Sequence, residues 1–278
     1  MKLYLSSHKL GNREKFLKRW IQHHDNNIVL ITSARDLKKQ DDIEKEKINE
    51  NIIMLESLGF NVKLLSLKDY FDNQDKLKED LKDYHAFCAI GGNVFVLRQA
   101  MKLSGFDDYL KEISQEEDYL YIGYSAGSCV LSPTLYGLEI LDEPINPYND
   151  DEIIYEGLHL INYVFLPHCN SSSYKDKVNK IIEKYQQEHI NYDTFNDEEV
   201  IIENTLYNDR EYLEKMLPGY LDRDIKSLRD ASKKQKLVDC LINEVQGSNN
   251  SAWVDGVITE KQCDYIYEKY IRNGDLYD

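Results

Sequence analysis

Residues 119 to 133 read YLYIGYSAGSCVLSP, an apolar run that stops on Gly123-Tyr124-Ser125-Ala126-Gly127. A short apolar run ending on small residues describes a buried strand that turns at once into a helix. The pentapeptide fits the G-x-S-x-G nucleophile elbow, in which a serine sits on a strained strand-to-helix turn and small neighbours let the chain reverse without clashes. The same turn aims the N–H groups of a helix start at the serine, where a developing oxyanion would sit. Five residues match often by chance, so the meaning comes from the context: a strand before and a short apolar helix after.

The unit repeats on both sides. Lys2 to Ser7, NIVLITSA (27 to 34), NVKLLSL (61 to 67), AFCAIGG (86 to 92) and YVFLPH (163 to 168) are further strand-like runs. Between them lie stretches of helical spacing. Phe16, Leu17, Trp20 and Ile21 mark one, and Ile43, Ile48, Ile52 and Leu55 mark another that stops near Gly59. DKLKEDLKDY (75 to 84) and VFVLRQAMKLSGF (94 to 106) supply two more. Continuous apolar strands joined by helices predict an α/β fold with a doubly wound, mostly parallel sheet covered on both faces. Ligands of such sheets gather at the carboxyl ends of the strands. That rule singles out Ser7 to Asn12, Ser33 to Asp36, Gly91 to Asn93, Ser125 and His168.

Beyond about residue 205 the pattern changes to amphipathic helices, interrupted at Pro218-Gly219 and at Gly247 to Asn250. The expected organisation is therefore an α/β domain over 1–205 and a helical C-terminal extension over 206–278. Leu213, Met216, Leu217, Leu237, Leu241, Ile242, Tyr265, Ile266 and Ile271 are too many apolar residues to leave in water. They are expected to pack as an appendage on a domain whose own helices already cover both faces of its sheet.

Composition excludes several classes. Of 278 residues, 42% are hydrophobic and 30% charged, as in ordinary globular proteins. No apolar run reaches membrane-spanning length, and the first residues turn polar too soon for a signal peptide, so a cytoplasmic location is expected. A formal charge of -16 repels a phosphate backbone and argues against nucleic acid as a partner. The five cysteines, Cys88, Cys129, Cys169, Cys240 and Cys263, are odd in number and widely spaced, which predicts reduced thiols rather than a disulfide framework or a zinc site. No H-E-x-x-H and no G-x-G-x-x-G after the first strand is present, so neither a metal nor a dinucleotide cofactor is expected. Oligomeric state is not readable.

A serine hydroxyl needs a base. Of the seven histidines, His23, His24, His85 and His189 read as surface or capping groups and His159 as structural. His8, at the end of the first strand, is placed to line the site. His168 closes an apolar strand and is the expected base. The acids between Ser125 and His168 are Glu139, Asp142, Glu143, Asp150, Asp151, Glu152 and Glu156, and the residues alone do not choose among them. Cys169 neighbours His168 but points to the opposite side of an extended segment. Cys129 lies one helical turn past the elbow. Both read as core thiols. Gly91-Gly92, at a strand end, permits the close backbone approach that an oxyanion donor requires.

Taken together, MKLYLSSHKLGN (1 to 12), AIGGNVFVLRQAMKLSGFDDYL (89 to 110), YIGYSAGSCVLSPT (121 to 134) and FLPHCNSS (165 to 172) resemble the S51 peptidases, the group of aspartyl dipeptidase (peptidase E) and cyanophycinase. The resemblance covers roughly residues 1 to 205 and implies a fold similar to class I glutamine amidotransferase domains. It implies Ser125 as nucleophile, His168 as base and the amides of Gly91, Gly92 and Ala126 as oxyanion donors, with Asn93 and Tyr124 against the substrate. Asp142-Glu143-Pro144 matches the Asp-x-Pro segment whose aspartate is taken to orient the histidine. The match needs about two extra residues, so Glu139 and Glu143 stay open. Tyr124 stands where the dipeptidase carries tryptophan. Acidic P1 residues are also implied, with Arg35, Arg98 and Lys175 as candidate partners. The expected activity is that of a serine peptidase acting on small peptides. An amidase or esterase with the same triad, or a non-catalytic binding protein on the same fold, are the alternatives.

Overall fold

The computed structural model describes residues 1–39, 41–148 and 153–273. Asp150, Asp151 and Glu152, three of the competing acids, lie outside the described residues. In chain order the elements are β1 (Lys2–Ser6), α1 (Glu14–His23), β2 (Asn27–Ile31), α2 (Asp42–Ser57), β3 (Asn61–Leu65), α3 (Gln74–Leu81), β4 (Ala86–Ala89), α4 (Val94–Ser104), α5 (Phe106–Ile113), β5 (Leu120–Tyr124) and α6 (Ala126–Cys129). They continue with β6 (Val164–Leu166), α7 (Lys175–Glu188), β7 (Tyr192–Thr194), β8 (Val200–Asn204), α8 (Gly219–Lys234), α9 (Val238–Val254) and α10 (Glu260–Ile266).

Six strands form the main sheet in the order β3-β2-β4-β5-β1-β8. Every pairing is parallel except that of β1 with β8, where Ser6 faces Val200 and Lys2 faces Asn204. The fold is α/β with a mostly parallel, doubly wound sheet. Side chains alternate between its faces. Leu3, Leu5, Val29, Ile31, Phe87, Ala89 and Tyr121 join one buried cluster with residues of α3, α4, α5 and α7. Tyr4, Ile28, Leu30, Cys88, Leu120 and Ile122 join a second. All residues of β4 and β5 are buried, which accounts for their unbroken apolar sequence.

Two features differ from the sequence expectation. The strand before His168 is not in the main sheet: β6 pairs in parallel with β7 in a separate two-stranded sheet. The C-terminal helices, in turn, do not sit on a finished layer. Leu221, Ile225 and Leu228 of α8, Val245 and Ala252 of α9 and Ile266 of α10 share the second cluster with Trp20 of α1 and with Val200 and Ile202 of β8. Residues beyond 205 thus complete the helical cover of that face, next to α1 and α2. Burying such side chains stabilises by about 1.5–3 kcal/mol each.

Local signals explain where the helices flanking the site begin. Asn93 caps α4, its side chain accepting from the Phe95 and Val96 amides at 2.9 and 3.1 Å. Gly105, at φ 76°, ends α4 in the left-handed region and lets α5 start at once.

Candidate active site

Ser125 leaves β5 at φ 50°, ψ -115°, a backbone conformation that few side chains tolerate. Its neighbours explain how the turn is accommodated. A Cβ on Gly127 would lie 2.0 Å from the Ala89 carbonyl oxygen, and one on Gly123 would lie 2.6 Å from the Gly127 carbonyl oxygen. Only glycine lets these strands and the helix start approach so closely. α6 then begins at Ala126, whose N–H has no intrahelical acceptor and points out of the helix start.

The Ser125 hydroxyl lies 3.1 Å from His168 Nε2. On the other side of the ring, Nδ1 lies 2.6 Å from Asp197 Oδ1. His168 itself has φ 64°, and its backbone N–H donates to the Ser7 hydroxyl at 2.7 Å. Ser7 in turn donates to Asp197 Oδ1 at 3.0 Å. The ring of Tyr174 stacks on the imidazole with centroids 4.8 Å apart. Four segments therefore meet here: the ends of β1, β5 and β6 and the connection between β7 and β8.

This arrangement corrects the expected orienting acid. Asp142 does not hold the imidazole; its carboxylate accepts from the Val94 N–H at the start of α4, at 2.9 Å. Burial raises its pKa above the ordinary aspartate value, opposed by that N–H and by the positive potential near His168. Glu139 pairs with Lys184 at 2.9 Å, and among the described residues the ring nitrogens of His168 bond to Ser125, Asp197 and Ser7 rather than to Glu139 or Glu143.

The three groups open onto a cleft of about 780 Å³ whose walls include Gly91, Gly92, Asn93, Tyr124, Ala126 and Asp142. Gly92 faces Ala34 so closely that a Cβ would lie 2.3 Å from its carbonyl oxygen. Lys9, Arg35, Lys38 and Lys47 bring positive charge to the same cleft, and Glu50, Asp142, Glu143 and Asp197 bring carboxylates. Burial lowers the pKa of His8, against the opposing pull of Asp197.

A family model described as Peptidase family S51 matches residues 3–208. The chain belongs to peptidase family S51. An uncharacterised peptidase of Listeria monocytogenes serovar 1/2a is 31% identical over 149 residues, covering 53% of this chain and 70% of its own length. One from Listeria innocua serovar 6a is 29% identical over 169 residues, covering 60% and 76%. Among solved structures, a provisional peptidase E of Listeria monocytogenes EGD-e superposes with a TM-score of 0.60 at 24% identity, covering 73% of this chain and 93% of that one. A peptidase from an acI-B1 actinobacterium gives 0.51 at 18%, covering 73% and 83%. These two likenesses bear on the fold.

In this S51 peptidase the remaining candidates are accounted for one by one. Asn93 lines the cleft, but both ends of its amide serve the cap of α4 and the tie to Glu143. Tyr124 is buried and its hydroxyl bonds to Asn51 at 2.5 Å. Arg98 is buried away from the cleft against Asp107 at 2.9 Å, and Lys175 opens α7 outside it. Arg35 reaches the cleft, yet its guanidinium is held by the Glu44 carboxylate. The thiols of Cys129 and Cys169 donate to the Phe165 and Leu166 carbonyls at 3.4 Å. Burial pushes the Cys169 thiol up to about 11 and Cys129 far above its ordinary value, so neither supplies a thiolate near neutral pH. No cluster of three or more metal-ligating side chains occurs, and no helix is long and apolar enough to cross a membrane, among the described residues.

Asp197 is the residue beside His168 that sequence reasoning missed, and Ser7 was singled out without a role. The strand-end rule pointed at Ser7 only as part of a loop. The same rule would have reached Asp197, three residues past β7, had that three-residue strand been recognised.

Proposed function

We propose that this peptidase is a serine peptidase in which Ser125, His168 and Asp197 act as the triad on small peptides. The observation that carries the reading is the unbroken line from the Ser125 hydroxyl through His168 to Asp197, at 3.1 and 2.6 Å. In this mechanism His168 Nε2 takes the serine proton as Oγ attacks the scissile carbonyl, then delivers it to the leaving amine. Asp197 holds the proton on Nδ1 and stabilises the imidazolium that forms. The oxyanion is received by the Ala126 N–H and the Gly92 N–H, on facing sides of the elbow. Water then repeats the sequence on the acyl-enzyme. The roles of Gly91 and Gly92 are proposals, supported by their place in the cleft wall beside Ser125.

The preference for an acidic P1 side chain is carried over from the family resemblance; Lys38 and Lys47 stand in the cleft wall as candidate contacts, whereas Arg35 is held by Glu44 and Lys9 lies 3.6 Å from Glu50. The test is hydrolysis over a library of Asp-Xaa, Glu-Xaa and neutral dipeptides, together with labelling by a fluorophosphonate. Rapid labelling that maps to Ser125, with turnover of acidic dipeptides, is expected. A protein that is neither labelled nor active on any member of the library would overturn the triad reading, and turnover confined to neutral dipeptides would overturn the acidic preference alone.

A further inference from the structure

The C-terminal end of α8 touches both chain segments that hold Asp197. Lys233 is only 4% exposed. Its ammonium is hydrogen-bonded to the Asp193 carboxylate in β7 and lies 4.4 Å from the centroid of the Phe195 ring, two residues before Asp197. The Lys233 carbonyl accepts from the Asn12 side-chain amide at 3.0 Å, and the Ser232 hydroxyl accepts from Arg13 at 2.9 Å. Asn12 and Arg13 end the loop that starts at Ser7, whose hydroxyl donates to Asp197. Two consecutive residues of one helix therefore tie down the strand on one side of Asp197 and the loop on the other.

The physics makes this more than proximity. A buried ammonium is tolerated only with its charge compensated in place, so it fixes the position of its partner. Asp197 needs such support, since its side chain is 35% exposed and, among the described residues, its carboxylate is bonded by Ser7 and by the imidazole it must orient. α8 also lies beyond residues 3–208, the span that matches the family.

We propose that Lys233, with Ser232, is a positioning residue for Asp197, so that the C-terminal extension is part of the machinery that aligns the triad. This rests on the triad reading above. His168 is faced by Asp197, His8, Asp142 and the Tyr174 ring, and among these the brace governs Asp197.

The experiment compares Lys233→Met, Lys233→Arg and Ser232→Ala in the full chain. The readouts are the thermal transition, fluorophosphonate labelling rate, and kcat and KM from pH 5 to 9 on the dipeptide that wild type hydrolyses fastest. K233M is expected to lower kcat and the labelling rate by about 10- to 100-fold with KM little changed, the scale of a small misplacement of a catalytic group. Its acid limb of kcat/KM should move to lower pH, because an imidazole that has lost its carboxylate is easier to deprotonate. K233R should recover most of the rate, and S232A should show a smaller loss in the same direction. A folded K233M with wild-type kcat and an unmoved limb overturns the proposal. If K233M does not fold, S232A decides, and an unchanged rate and limb there overturns it as well. Should wild type be labelled but hydrolyse no dipeptide, the substrate reading fails while the labelling rates still judge the brace; a wild type inert in both assays removes both.

Discussion

Ser125 and His168 both sit at positive φ, 50° and 64°, although neither is glycine. Each such residue costs on the order of 1–3 kcal/mol, a cost the surrounding sheets hold in place. Ser125→Ala is expected to lower kcat by roughly 10⁴- to 10⁶-fold while the thermal transition stays near that of wild type. Asp197→Asn should cost about 10²- to 10⁴-fold by disfavouring the imidazole tautomer that accepts the serine proton. Steady-state kinetics of the two variants checks both values, and wild-type turnover in either removes that residue from the triad. Asp142 makes a different prediction. Its folded-state pKa is raised by burial, so the folded protein holds this proton more tightly than the unfolded chain does. Stability from this group is therefore full at low pH and falls as pH rises from the ordinary aspartate value through the raised one. Asp142→Asn keeps an acceptor for the Val94 N–H and removes the charge. It should melt higher than wild type at pH 7, with the difference vanishing in acid, as scanning calorimetry at several pH values would report. The serine and histidine were legible because each is announced by its own strand and turn. The acid was not, because its partner is chosen in space: Asp197 follows His168 in the chain, outside the interval between Ser125 and His168 in which the acid was sought.

At the scale of elements, the long apolar runs were readable and the short polar ones were not. β1 to β5 stand where the sequence places strands; β2, β4 and β5 do so because burial on both faces demands an unbroken apolar run, while β3 is a half-exposed edge strand. β7 has three partly exposed residues, Tyr192 to Thr194, and carries no periodicity to read. β8 was hidden for another reason. It pairs antiparallel at the sheet edge, so nothing in a βαβ rhythm announces it. The elbow between β5 and α6 leaves no room for substitution at Gly127. A Cβ at Gly127 meets a main-chain carbonyl at 2.0 Å, which no rotamer change relieves. Gly127→Ala should cost about 3 kcal/mol or more and lower the melting temperature by about 6 °C or more. Gly247→Ala, on α9 with open space around it, should be neutral or mildly stabilising. A melt of G127A indistinguishable from that of G247A would show that the elbow has slack.

The whole molecule is closed by its last helices. The second buried cluster runs from Tyr4 and Trp20 through Val200 and Ile202 to Leu228, Val245 and Tyr270. A chain ended after residue 208 should therefore uncover apolar surface over β8 and α1. It is expected to bind 8-anilinonaphthalene-1-sulfonate strongly and to melt at least 10 °C lower than the full chain, whereas equal melting temperatures would mean that the sheet face is sufficient without its cover. The helices themselves were legible as helices; the face they cover was not, because amphipathic periodicity reports that a stripe is buried without saying against what. The serine and the imidazole also belong to different sheets, the first to six strands and the second to a pair of three-residue strands. In the small sheet β6 is buried in the core and tied to the end of α6, with the Phe165 N–H donating to the Ser132 hydroxyl at 3.0 Å and the Cys129 thiol to the Phe165 carbonyl, whereas β7 is partly exposed along its length. Heat loosens regions of low local stability before it melts the whole. Inactivation on warming should thus run ahead of unfolding, with amides 192–194 exchanging with deuterium sooner than those of β4 and β5, so that this enzyme falls silent while still folded.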